Sequence, residues 1–142
     1  MSEKANENAT PKGFSASNRE TGTMTPEQAA QAVSSGKIRL VTPIMDGDKE
    51  YTELAYDFNK LTGWELARAI DTGADLRTRN SGNISDREAL CLFSAAAAKC
   101  NELDARDVQE RIGPVDAILA INTASVFFRG SLMAGYLRIA SE

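Results

Sequence analysis

Apolar residues are sparse at the start of the chain, then recur with two different periods. Residues 1–36 hold mostly Ser, Thr, Asn, Gln, Glu and Gly, with few aliphatics and Phe14 as their only aromatic. Such a stretch has too little apolar area to offset the entropy of ordering it, so this arm is expected to be largely disordered. One island inside it reads as structure. Thr25 precedes Pro26 at a first helical position, Gln28 stands three residues after the cap, and Gly36 follows an Ala-rich run, which predicts a short helix over 26–34. Residues 37–142 read as a single folded domain.

Ile38 to Ile44 and Thr52 to Phe58 are extended-looking segments separated by Asp46-Gly47-Asp48, which predicts a β-hairpin over 38–58. Its register follows from parity. Ile38, Leu40 and Ile44 on the first strand and Leu54, Tyr56 and Phe58 on the second are all even-numbered. They share a face only if even residues pair with even ones, and that demands a loop of three or five residues. A three-residue loop at 46–48 sets Leu40 opposite Leu54 and Ile38 opposite Tyr56.

After Phe58 the period becomes helical. Thr62 and Glu65 form a capping box ahead of Trp64, Leu66, Ala67 and Ile70, predicting a helix over 62–71. Thr72 to Ile84 carries two Gly and two Asn among charged residues and reads as a mobile loop. Ser85 and Glu88 form a second box before the stripe Leu90, Phe93, Ala97 and Cys100, predicting a helix over 86–101. Asp104 caps a helix over 105–111, with Leu103 and Val108 placed as a hydrophobic staple. Pro114 opens the last helix, 114–129, whose Val115, Ile118, Leu119, Ile121, Val126, Phe127 and Phe128 form a surface wider than one stripe needs, so burial on several sides is expected. Arg129-Gly130 is expected to end or loosen it, leaving an amphipathic tail over 131–142. The fold class is α+β, mainly α: an N-terminal β-hairpin followed by a bundle of about four helices.

Composition adds exclusions. At 42% hydrophobic and 25% charged residues the chain is of ordinary globular type, and its net charge of −4 supplies no general attraction to nucleic acid or anionic membranes. The uncharged apolar run Ala117 to Phe128 falls short of the roughly 20 residues that span a bilayer. The first residues, Ser2 to Asn6, lack the apolar core of a signal peptide, so a cytosolic location and reduced thiols are expected. Cys91 and Cys100, nine residues apart on one helix, face opposite sides of it and read as small core residues.

With no histidine in the chain, the Ser-His-Asp and Cys-His arrangements and imidazole zinc sites are ruled out. Asp46, Asp48, Glu50 and Glu53 do not follow the spacing of a calcium loop, and Arg79 to Asn83 lacks the ending of a phosphate loop. Asp104, Asp107 and Glu110 are available for acid-base work, but the first two sit where a helix dipole favours negative charge. Arg68, Arg77, Arg79 and Arg87 alternate with Asp71, Asp75 and Asp86, the pattern of a solvated loop more than of a phosphate site. No cofactor, metal or catalytic residue is expected. Attention moves to surfaces, because Phe127, Phe128, Met133, Tyr136 and Leu137 are more apolar mass than a terminal segment needs. They are either core or, where exposed, a partner-binding site.

The run Ile38 to Ile44, the turn Asp46-Gly47, the strand Tyr51 to Phe58 and the segment Leu61-Thr62-Gly63-Trp64-Glu65-Leu66 resemble, in that order, the start of the tail assembly chaperones of contractile-tailed, Mu-like phages. Leu103 to Val108, Gly113 to Ala117 and Val126 to Phe128 are similar to that family's two closing helices. The likeness covers about residues 37–130; the long N-terminal arm departs from it. The resemblance implies a non-enzymatic protein of the host cytoplasm that binds the tape measure protein, with the tail tube subunit as a second candidate partner and self-association open, and that is absent from the finished virion. A structural or adaptor component of the particle, a small nucleic-acid-binding regulator using the 77–87 arginines, and a hydrolase using Asp104 and Asp107 stand as alternatives.

Overall fold

Threonine or serine oxygens open three of the helices in the way their spacing predicts. The structure, a computed structural model, describes residues 24–74 and 83–140, without the side chains of Tyr136, Leu137 and Ala140. Thr25 accepts the Gln28 N–H at 3.1 Å while Gln28 accepts the Thr25 N–H at 2.9 Å, starting α1 (Pro26–Ala32). The same reciprocal pair of bonds joins Thr62 to Glu65 ahead of α2 (Gly63–Gly73) and Ser85 to Glu88 ahead of α3 (Asp86–Ala98). Each satisfies donors that a helix start leaves without partners. Asp104 caps α4 (Ala105–Arg111) by accepting the Asp107 N–H, and the staple residues Leu103 and Val108 are both buried. With strands β1 (Ser35–Asp46) and β2 (Lys49–Asp57) and the long α5 (Pro114–Ala140), the chain is α+β and mainly helical, a hairpin followed by a bundle of four helices. Residues 1–23 and 75–82, which include much of the expected arm and loop with Arg77 and Arg79, lie outside the described residues.

The hairpin keeps the expected face but reaches it by another route. Its turn holds two residues, Gly47 and Asp48, with Asp46 paired to Lys49 and Ile44 to Tyr51; Gly47 adopts φ 65°, which a side chain would strain. A two-residue turn by itself opposes even to odd positions. Between Arg39 and Ile44 the register shifts, so that four residues of β1 stand against Thr52 alone, and beyond the shift Ile38 opposes Leu54 and Gly36 opposes Tyr56. Three extra residues invert the parity, as an odd loop would have done. The expected loop at 46–48, and with it the pairs Leu40 to Leu54 and Ile38 to Tyr56, is therefore corrected, while Ile38, Leu40, Ile44, Leu54, Tyr56 and Phe58 all face the core.

α3 is the centre of that core. Ala89, Leu92, Phe93, Ala96 and Ala97 are fully enclosed, and α2, α4, α5 and β2 all pack against this one helix. Its alanines let the neighbours come close. Asn101, just past its end, donates to the carbonyls of Ala55 at 2.8 Å and Ala97 at 2.7 Å, tying the helix to β2. Arg111 of α4 donates to the Met45 carbonyl at 2.7 Å and fixes the turn end of the hairpin. Cys91 is buried, Cys100 half-buried, and both are free thiols.

The short helix expected over 26–34 is present as α1, which packs across α5, and β1 starts at Ser35, just before the expected domain boundary at 37. One expectation about the C-terminal end is overturned. Arg129-Gly130 does not end the last helix, which runs unbroken to Ala140. Gly130 serves the crossing instead, since a Cβ built there would lie 2.0 Å from the Pro26 carbonyl oxygen and 2.5 Å from the Ala30 Cβ. Alanine is the better helix former by about 1 kcal/mol, yet backbone cannot yield to such an overlap. Gly130→Ala is expected to leave global stability within about 1 kcal/mol of wild type while α1 detaches, because α1 buries only Ala30 and a seven-residue helix does not hold alone. Hydrogen exchange is the check: amides of 28–33 that stay protected in the variant would refute this.

Candidate functional site

α5 is built with two unlike sides. Asp116, Ala120, Thr123 and Ala124 are buried together, at the spacing of one helical face, and Gly130 continues that face under α1. Small side chains let α5 lie close against α3. Asp116 does more than fill space: its carboxylate accepts the Val41 N–H at 2.9 and 3.1 Å and the Thr42 N–H at 3.0 Å. These are donors that the register shift takes out of the ladder. Next in the chain Pro43 has no N–H to place, and Gly113 leaves room for the Thr42 side chain, whose atoms would lie 3.1 Å from a Cβ.

The flank of α5 beside that face is apolar and uncovered. Val115 is 59% exposed, Ile118 69%, Leu119 46% and Met133 45%, with Asn122 and Arg129 exposed and Val126 half-buried between them. Val115, Leu119, Asn122, Val126, Arg129 and Met133 follow one another at intervals of four and three. This is the 3.5-residue spacing with which one helix packs along another, over a length of about 27 Å. Val41, on the strand that Asp116 holds, is 69% exposed as well. Over Pro114–Gly135 the mean hydropathy is 1.4, and only 22% of the most apolar stretch is buried. By length and composition this helix is long and apolar enough to cross a membrane, while its uncharged run remains Ala117 to Phe128, between Asp116 and Arg129. The exposure of Val115, Ile118 and Leu119 corrects the expectation of burial on several sides.

The residues singled out from the sequence divide between these two environments. Phe127 is half-buried and stacks on Phe58 at 4.4 Å, with the rings 13° from parallel. Phe128 is half-buried against the core. Met133 is on the exposed stripe. The side chains of Tyr136 and Leu137 lie outside the described residues. Val115, Ile118 and Leu119, assigned to a buried surface from their sequence, are exposed; the four-and-three spacing of Val115 and Leu119 with Val126 and Met133 was the available signal.

Other candidates resolve into structural roles. Asp104 is the cap of α4, and Asp107 lies 3.6 Å from Arg111 of the same helix. Burial pushes the Cys91 thiol above its ordinary pKa, the opposite of an activated nucleophile. Glu65 is held below the usual carboxylate range by the Lys99 ammonium 2.6 Å away and by the Thr62 N–H; this pair rims a cleft of about 240 Å3 floored by Ala69, Cys91, Ala95 and Ala98. A second cleft of about 570 Å3 lies between α1 and the last turns of α5, with Phe127 at its base and Glu27, Gln31, Asn59 and Arg138 on its walls. Compared with protein-family models, with curated proteins and with solved structures, the chain finds no match in any of the three.

Proposed function

We propose that this chain is a phage tail assembly chaperone, a binding protein and not an enzyme, that holds the tape measure protein soluble in the host cytoplasm until the tail tube polymerises around it. The tail tube subunit is a second candidate partner. The observation that carries the reading is the uncovered apolar side of α5, where Val115, Ile118, Leu119 and Met133 are 45–69% exposed. A soluble domain seldom leaves such an area open unless a partner covers it. The resemblance over residues 37–130 names a partner that fits, since a long helical protein waiting for its tube exposes apolar helix surface of the same kind. The net charge of −4 keeps the free chaperone dispersed. The protein leaves when the tube closes and is absent from the finished virion.

The test is co-expression with the tape measure protein encoded nearby, followed by affinity capture and size-exclusion chromatography. The expected result is co-elution with a tape measure protein that is insoluble when expressed alone. Separate elution, with the tape measure protein still insoluble, refutes the reading. Detection of this chain by mass spectrometry in purified particles assigns it to the virion as a structural component instead.

A further inference from the structure

The apolar stripe on α5 is interrupted at two places, and the interruptions describe what covers it. Asn122 sits near its middle and Arg129 seven residues further on, both exposed and both at positions of the four-and-three repeat. Among the described residues Arg129 has no ionic or hydrogen-bonding partner. The only acidic residue of α5, Asp116, is buried on the other side and engaged by Val41 and Thr42. We infer that the occupant is an amphipathic helix lying antiparallel to α5, with aliphatic residues at four-and-three spacing, a side-chain amide facing Asn122 and a carboxylate in its first turns facing Arg129. This rests on the reading of the stripe as the partner site.

Three physical points select that occupant. A stripe with a 3.5-residue repeat fits a second helix along its whole length, where a strand or an irregular segment would touch it only at intervals. The guanidinium has to be neutralised when water is excluded, and a carboxylate does so with two parallel hydrogen bonds. An antiparallel helix brings its N-terminal turns, where acidic residues are favoured by the helix dipole, to the Arg129 end. A second copy of this chain is a poorer fit, because its own stripe offers no carboxylate to Arg129. A bilayer is poorer again, because it would surround both Asn122 and Arg129 with hydrocarbon.

The probe is a labelled synthetic helix of about three heptads, with Leu and Val at the repeat positions, Gln to face Asn122 and Glu in the first turn, and a twin carrying Lys in place of that Glu. Binding to the full chain is followed by fluorescence anisotropy. The Glu helix is expected to bind about fivefold more tightly than the Lys helix. Arg129→Glu is expected to reverse that order, and Leu119→Glu and, independently, Ile118→Glu to abolish binding of both, with circular dichroism unchanged. Equal affinity for the two helices, or an order that Arg129→Glu does not alter, overturns the inference. So does a dimer in light scattering that the Glu helix cannot dissolve, or sedimentation with phosphatidylcholine vesicles that Leu119→Glu removes. The two readings fail separately. Charge-dependent peptide binding without solubilised tape measure protein sinks only the chaperone assignment. A tape measure protein kept soluble by Arg129→Glu and Leu119→Glu as well as by wild type sinks only the occupant described here.

Discussion

Asp116→Ala is expected to lower the free energy of unfolding by about 3 kcal/mol and the melting temperature by about 8 °C. Asp116 is 97% shielded from solvent, and its carboxylate takes the N–H groups of both Val41 and Thr42. Neither donor has a ladder partner, because the register shift sets residues 40–43 against Thr52 alone. Hydrogen bonds to a charged acceptor are worth roughly 1.5–3 kcal/mol, and a buried donor left unmet costs about 1–3 kcal/mol. The site is only partly buried around the donors, so water recovers some of that loss, which is why the sum is set near the lower of these limits. Asp116→Asn keeps one carbonyl oxygen for two donors and brings an amide that has nothing to donate to, so it is expected to fall between the two. Equilibrium urea unfolding is the measurement. If alanine here unfolds within about 0.5 kcal/mol of wild type, the carboxylate is not what holds the shifted strand.

Local chemistry made most of the fold legible. Helix starts were readable because a hydroxyl and a glutamate or glutamine three residues apart close the same pair of bonds in any context, and Thr25, Thr62 and Ser85 do so. The apolar face of the hairpin was equally readable, being fixed by parity. Its loop was not. The parity rule offers two solutions, an odd loop or an odd bulge, and the choice of the second depends on Asp116, some 75 residues away in sequence. The end of the last helix was misread for a similar reason. Glycine after arginine has the local signature of a stop, and only the approach of Pro26 and Ala30 reveals that the missing Cβ makes room for α1.

The candidate site was half legible. An excess of apolar residues near the C-terminus was evident, and it led to Phe127, Phe128 and Met133. Which of them face inward depends on how α5 is rotated, and that rotation is set by Ala120, Thr123, Ala124 and Gly130. These small residues carry little hydrophobic signal, yet they mark the side along which another backbone can approach. Large aliphatics are then left outside, so reading size as burial inverted the assignment of Val115, Ile118 and Leu119.

Phe93→Ala carries the largest expected effect, a loss of about 4 kcal/mol. The ring is wholly buried and sits among the other aromatics, 5.1 Å from Tyr56 and 6.4 Å from Phe58, edge-on to the latter at 73°. Phe58 in turn stacks on Phe127, so one side chain of α3 supports β2, the turn after it and the middle of α5. Truncation removes the transfer free energy of the ring and the aromatic contacts, and leaves a cavity that rigid neighbours close only in part. Against the 5–15 kcal/mol typical of a domain, the loss is large but leaves a folded population, and the melting temperature is expected to fall by about 12 °C. Phe93→Leu, which keeps much of the volume, is expected to lose less than half as much. Because the stripe of Val115, Leu119 and Met133 faces away from this cluster, the fraction of Phe93→Ala that remains folded at low temperature is expected to bind the Glu-bearing helix with wild-type affinity. Calorimetry and anisotropy on the same sample test both halves: a melting temperature within about 3 °C of wild type refutes the central position of Phe93, and a folded variant with lost affinity would show that the core and the docking side are not independent.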